Sequence, residues 1–198
     1  MMIAIIDYDA GNICSVVNLL NRLGAEWKLT ADAAEINRAS HIILPGVGNA
    51  AHVMGSLREH GLDLTVKGIR RPVLGICAGM QIMCSWSEEG DVACMDIFDC
   101  RVKLLEPKPE EKIPHMGWDS LGNMESKLFR GIPDGEMFYF VHSYYAPLCY
   151  DTAATCRFGA SEPMFSAALH YENFYGVQFH PEKSGAAGEK LIKNFLAL

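Results

Sequence analysis

Three side chains in this sequence have the types and surroundings that covalent chemistry needs: Cys77, His180 and Glu182. Cys77 lies in Pro72-Val73-Leu74-Gly75-Ile76-Cys77-Ala78-Gly79-Met80-Gln81, where a short apolar run entered through proline reads as a buried strand. After it, Met80, Ile82, Met83 and Trp86 recur at helical spacing, which predicts a helix and puts Cys77 at the corner. Gly75 and Gly79 flank it at two residues on either side, leaving room for a strained strand-to-helix elbow that exposes a nucleophile. The amides and positive end of a following helix favour thiolate. The same stretch also fits an unreactive cysteine at an ordinary strand–glycine–helix junction, since free cysteine often packs as a small hydrophobe.

A cysteine nucleophile needs a base, and the base needs an orienting group. His180 and Glu182 end the apolar run Tyr175-Gly176-Val177-Gln178-Phe179, so they too sit at the end of a strand. Two residues apart in extended chain, their side chains project to one side, and Pro181 between them fixes the backbone. A solvent-facing His-Pro turn beside an unrelated acid is the alternative. The other histidines, at 41, 52, 60, 115, 142 and 170, lack such an arrangement and default to surface or satisfied core positions. No histidine–cysteine cluster has ligand spacing, so neither a metal nor a cofactor is expected.

The elements that must position these groups follow from the rest of the chain. A length of 198 residues suits a single domain over 1–198 with a sizeable core. Hydrophobic residues at 49% and charged residues at 21% describe a packed globular chain. Seven scattered cysteines without a C-x-x-C pair point to a reducing compartment, the cytoplasm. No apolar stretch is long enough for a bilayer, and the start lacks a signal-peptide pattern. A net charge of −7 without a basic run argues against nucleic acid as a partner.

Residues 2–6 predict a central strand, Asp7 to Gly11 a turn, and Asn12 the N-cap of a helix carrying Ile13, Val16, Val17, Leu20 and Leu23, stopped by Gly24. Strands are expected at 27–29 and 41–44, helices near 50–59 and 62–69, and a strand into Cys77. Alternating β and α implies a mostly parallel sheet with helices on both faces, whose site lies at the carboxyl ends of the strands. The loop Pro45-Gly46-Val47-Gly48 then opens on the rim that holds Cys77; it fits a simple turn or amides presented to an oxyanion. From about Val92 the chain becomes β-rich, with strands expected at 102–105, 137–141, 153–158, 165–169 and 174–179. Glu106 to Lys112 reads as an exposed loop, and a helix after Ser184 packs Ala187, Leu191 and Phe195.

The segments Gly75–Gln81 and Gly176–Glu182 together resemble the class I, or triad, glutamine amidotransferases. Four more segments are similar, as an ordered set, to the glutaminase subunits of imidazole glycerol phosphate synthases: Gly11-Asn12-Ile13 with Ser15-Val16, Leu44–Gly48, Pro114-His115-Met116-Gly117-Trp118, and Tyr139–Tyr145. The resemblance implies a flavodoxin-like sheet with a smaller β-rich part and a Cys77–His180–Glu182 triad that hydrolyses glutamine through a thioester. It implies oxyanion donors at the Val47, Gly48 and Ala78 amides, and a glutamine pocket of Gly48, Gln81, His142, Ser143 and Tyr144. It also implies a heterodimer with a (β/α)8-barrel cyclase, contacted near Asn12, Ser15, Trp118, Tyr139 and Lys183, which uses the ammonia in histidine biosynthesis. Two departures are Ala78, where leucine is usual, and Asp9-Ala10 in the first loop. Three other readings are another class I glutaminase of the pyridoxal phosphate synthase type, a cysteine peptidase, and a non-catalytic binding module.

Overall fold

The computed structural model describes residues 2–8, 13–46, 48–106, 112–157 and 164–198. The turn at 9–11, Asn12, Val47, most of the loop expected at 106–112, and Phe158 lie outside the described residues. The first half alternates as the patterning requires. It runs β1 (Met2–Ile6), α1 (Cys14–Arg22), β2 (Glu26–Thr30), α2 (Ala33–Arg38), β3 (His41–Leu44), α3 (Ala50–Glu59), α4 (Leu62–Lys67), β4 (Val73–Ile76) and α5 (Ala78–Gln81). Strands dominate thereafter: β5 (Cys84–Ser87), β6 (Val92–Ala93), β7 (Phe98–Leu104), β8 (His115–Ser120), β9 (Met137–His142), β10 (Tyr144–Tyr145), β11 (Thr152–Arg157), β12 (Met164–Tyr171) and β13 (Phe174–Val177). Helix α6 (Gly185–Leu196) closes the described chain.

Seven strands form the main sheet in the order β11-β12-β13-β4-β3-β1-β2. Strands β13, β4, β3, β1 and β2 are parallel, and β11 and β12 add an antiparallel edge. Alternation along each central strand feeds two cores: Ile3, Ile5, Ile43, Leu74 and Ile76 face one side, and Ala4, Ile6, Ile42, Leu44 and Val73 the other. Helices α1 and α6 cover the first core with Val16, Leu19, Leu20, Leu191, Ile192 and Phe195. Helices α3 and α4 cover the second with Val53, Met54, Leu57, Leu62 and Val66. Each such side chain, once buried, contributes about 1.5–3 kcal/mol, so the central strands are fixed from both faces. Two smaller sheets, β10-β7-β5-β6 and β8-β9, make up the β-rich part.

The structure corrects three local expectations. The helix after Cys77 ends at Gln81, and Trp86 lies in β5 rather than on a helix face. Residues 80–84 are all buried, so their apolar run had no helical face to reveal, and pairing of β5 with β7 takes the chain over. The N-cap of α1 is Ile13, whose carbonyl accepts from Val17, with no side-chain cap. Glu182 is not in extended chain: Pro181–Lys183 form a single 3-10 turn, with proline at its first position where a fixed φ suits a helical start.

Candidate active site

Cys77 has φ 52° and ψ −113°, a left-handed-side conformation that an L side chain rarely takes. Such strain costs about 1–3 kcal/mol and persists only where the surroundings impose it. They do so here. The Cys77 amide is tied to the Val177 carbonyl at 2.7 Å, and its own carbonyl accepts from Met80 and Gln81 at 3.0 and 3.1 Å. A Cβ on Gly75 would meet the Gly79 carbonyl oxygen at 2.6 Å, so the elbow needs glycine there, and a Cβ on Gly79 would run into the Leu44 carbonyl, so glycine at 79 lets the elbow sit against β3. Because α5 is four residues long, what it presents to Cys77 is first-turn amides without intrahelical partners rather than a long helix dipole.

Sheet register gathers the remaining groups. Ile76 pairs with Val177 and Leu44 with Gly75, so β3, β4 and β13 release the loop at 45–48, Cys77 and His180 on one rim. Gly46 rests against the Ile76 carbonyl and the amides of Ala78 and Gly79, an approach that any Cβ there would block. Gly48 has φ +109°, which favours glycine for the turn. The 3-10 turn brings Glu182 Oε1 to 2.7 Å from His180 Nδ1, so Nδ1–H donates to the carboxylate. Both side chains are 7% exposed, and His180 Nε2 is buried without a hydrogen-bond partner. Burial alone pushes the His180 imidazole down, but the neighbouring Cys77 sulfur and the Glu182 carboxylate outweigh it and raise its pKa to about 9. The Tyr139 carbonyl accepts from the His180 amide at 2.9 Å, and Ser184 Oγ links the His180 carbonyl to the Tyr139 amide, so β9 holds His180 from outside.

A cleft of about 370 Å³ opens on these groups. Gly48, Cys77, Ala78, Gln81, His142, Ser143, Tyr144, His180 and Lys183, all singled out from the sequence, line it. His142 is buried and neutral: burial first, then the charges of His115 and His180, push its pKa down to about 3. Its Nδ1–H donates to the Tyr144 carbonyl at 2.8 Å, and Gln81 Nε2 reaches the same oxygen at 2.7 Å. Glu182 stands behind His180 rather than on the cleft wall. Val47 and Asn12 lie outside the described residues, and Ser15 sits half-buried on α1, away from the lining.

Sequence reasoning missed two groups. Glu89 lines the cleft and accepts from the Ala50 amide at 2.8 Å, its carboxyl raised by burial and lowered less by that N–H. In Glu88-Glu89-Gly90 it reads as an exposed turn, and nothing local distinguishes it. Gln178 is fully buried, with Nε2 3.6 Å from Cys77 Sγ; a lone amide inside Val177-Gln178-Phe179 was the available signal. No group of three or more histidine, cysteine, aspartate or glutamate residues among the described residues is arranged to hold a metal.

On the outer surface of β8 and β9, Met116, Trp118 and Met137 are 62%, 50% and 41% exposed. Trp118 meets Tyr139 edge to face at 6.0 Å, and Lys183 Nζ lies 5.7 Å over the Tyr139 ring. Three residues expected near a partner thus form one cluster on this face, with Tyr139 half-buried, and Lys183 also reaches the cleft that His180 lines.

The chain matches the family described as glutamine amidotransferase class-I over residues 4–198. It is 52% identical to the imidazole glycerol phosphate synthase subunit HisH of Bacteroides thetaiotaomicron, covering 100% of both chains. It is 44% identical to the subunit of that name from Yersinia pseudotuberculosis, again over 100% of both. Among crystal structures, one of a glutamine amidotransferase aligns with TM-score 0.73 at 17% identity over 98% of this chain and 97% of the other. One from Thermotoga maritima aligns with TM-score 0.62 at 18% identity, over 100% and 83%. The structural likenesses bear on the fold, which is the expected α/β arrangement with a mostly parallel sheet.

Proposed function

This chain belongs to the class-I glutamine amidotransferase family and, within it, to the glutaminase subunits of imidazole glycerol phosphate synthase in histidine biosynthesis, and from that premise we propose how its residues divide the work. Cys77 gives its proton to His180 Nε2 and attacks the carboxamide carbon of glutamine. The oxyanion is met by the Ala78 amide and by amides of the loop at 45–48, those of Val47 and Gly48. The His180 imidazolium, held by Glu182, protonates the departing nitrogen, and ammonia leaves a glutamyl thioester. His180 then takes a proton from water as it attacks, the carbon–sulfur bond breaks, and glutamate departs from a restored thiol. Gln81, His142, Ser143 and Tyr144 shape the pocket, and the Glu89 carboxylate on its wall suits the substrate's α-ammonium group.

The observation that carries this reading is His180 itself: one nitrogen is spent on Glu182 at 2.7 Å, while the other is buried, unpartnered and beside Cys77 in an open cleft. A binding module has no use for that unpaired nitrogen. Ammonia set free in water at neutral pH is mostly protonated, so the product needs a sheltered route to an acceptor. We therefore read the cluster Trp118, Tyr139 and Lys183, with Ser15 and Asn12, as the contact for a (β/α)8-barrel cyclase, making a heterodimer. The seven free thiols support placing it in the cytoplasm, and no helix among the described residues is long and apolar enough to cross a membrane. Two cores sharing one sheet support reading residues 1–198 as one domain. The test is glutamate release by the complex. Cys77→Ala should lose it while the cyclase still uses added ammonium salts; loss of ammonia-dependent synthesis in an intact complex would contradict this division of labour.

A further inference from the structure

Gln178 is tied at both ends of its amide. Its Nε2 lies 3.6 Å from Cys77 Sγ, and its Oε1 accepts from Gln81 Nε2 at 2.8 Å. That orientation follows from the groups beyond it. The Tyr144 carbonyl can only accept, and it receives the Nδ1–H of His142 at 2.8 Å and an N–H of Gln81 at 2.7 Å. With Gln81 so fixed, its second N–H faces Gln178. Turning the Gln178 amide over would set N–H against N–H and an oxygen against the sulfur.

The same accounting runs outward. His142, having given Nδ1–H to Tyr144, carries a lone pair on Nε2 and accepts from His115 Nδ1–H at 3.0 Å. His115 Nε2 lies 2.6 Å from Asp119 Oδ2. A hydrogen bond at that contact ties His115 to the Asp119 carboxyl and ends the chain there. His115 stacks on Phe140 at 5.0 Å and meets Phe165 at 6.0 Å, packing that fixes its ring plane.

We propose that Gln178 is a further catalytic residue whose side-chain N–H donates to the Cys77 sulfur and stabilises the thiolate, its orientation held by the chain Asp119–His115–His142–Tyr144–Gln81. The proposal rests on the reading of Cys77 as nucleophile. The bond acts twice. It supports sulfur when the thiol proton passes to His180 Nε2, and again when sulfur leaves the thioester carbon as thiolate. Asp119 and His115 do not touch the reacting atoms and are positioning residues.

The readout is the pH midpoint for alkylation of Cys77 by iodoacetamide in the full-length chain, followed by the mass of the Cys77 peptide because Cys14 is also exposed. Of the titratable and charged groups about the thiol, His180, His142, Glu89 and Lys183 are unchanged in the variants. Gln178→Met keeps the side-chain length and removes the donor. It should raise the midpoint by about one pH unit, or about tenfold less thiolate at a given pH below it. His115→Phe, remote from the sulfur, should raise it by about half a unit. A purely structural role would lower stability without moving the midpoint of the folded protein. A folded Gln178→Met protein with the parent midpoint overturns the proposal. If that variant does not fold, His115→Phe decides by the same reading, a raised midpoint supporting the chain and an unchanged one overturning it. Failure of the premise is separate: it would appear as glutamate release surviving in Cys77→Ala.

Discussion

Two histidine–carboxylate pairs stand a short way apart in this molecule and do opposite work. His180 and Glu182 meet at 2.7 Å on the rim beside Cys77; His115 and Asp119 meet at 2.6 Å behind the cleft. Both imidazoles are buried and both meet a carboxylate through one ring nitrogen. The difference is the second nitrogen. In His180 it is unpartnered and opens toward a thiol, whereas in His115 it is bound to His142. A carboxylate beside a buried histidine therefore does not mark a catalytic base; an unspent nitrogen next to a nucleophile does. The fully bonded pair serves as scaffold, and its hydrogen bonds are what orient the pocket.

The comparison breaks most sharply at the rim. Removing the nucleophile in Cys77→Ala should lower glutamine-dependent turnover by at least about 10⁴-fold, and adding His180→Ala should cost little more, since the groups act as a unit. Glu182→Gln leaves the imidazole in place and should cost roughly 10²-fold. That variant also has a signature in pH. His180 must be protonated to release ammonia, and its pKa is raised to about 9, so glutaminase rate should fall as pH rises through about 9. The Glu182 carboxylate is one cause of that rise, and losing it should move the alkaline limb to lower pH. A limb that stays at the parent position would remove Glu182 from the triad.

A smaller effect belongs to the exposed face of β9. The backbone carbonyl of Tyr139 holds the His180 amide at 2.9 Å while its ring lies among Trp118 and Lys183. On the proposed reading, a partner gripping those side chains would act on His180 through one strand. Trp118→Ala or Lys183→Ala should reduce stimulation of glutamate release by the proposed cyclase partner about fivefold, and basal hydrolysis by less. Equal losses with and without cyclase would place these residues in the catalytic site rather than at a contact.

Much of this was legible in the residues. The strand at 41–44 and the helix at 50–59 have the expected bounds, because a short continuous apolar run and, as the structure shows, a side-chain cap at Asn49 are local signals. The grouping of Cys77, His180 and Glu182 was legible for a similar reason, since elbow glycines and the proline between His180 and Glu182 constrain the backbone within a few residues, although the extended segment expected at 180–182 is a 3-10 turn. The short strands β5, β6, β8 and β10 were not anticipated. They exist through pairing with distant partners, as His115–Ser120 does along β9, and half of those residues are exposed. Gln178 and the Asp119–His115–His142 chain were illegible in the same sense. Their meaning lies in contacts across about 25 to 100 positions that no local pattern records.

The two regions should also part in how they answer acid. His142 is neutral in the folded protein, its pKa pushed down to about 3 by burial and by the charges of His115 and His180, whereas in the unfolded chain it titrates near the ordinary value of 6.5. Between those values the unfolded state binds the extra proton. His142 therefore contributes stability that is fully present above about pH 6.5 and is lost progressively as pH falls toward 3. His180 has the opposite sign: its contribution is present below 6.5 and is lost as pH rises through about 9. His142→Gln keeps a donor for Tyr144 and an acceptor for His115 but does not titrate. In urea unfolding at pH 6.5 and pH 5, the parent should lose about 1.5 kcal/mol more than this variant. His180→Ala should leave most of that acid difference, since burial is its largest cause and the His180 charge the smallest, and instead flatten the fall above pH 7. If His142→Gln lost as much stability as the parent between pH 6.5 and 5, the imidazole would not be held neutral, and the donor order assigned from Tyr144 outward would be wrong.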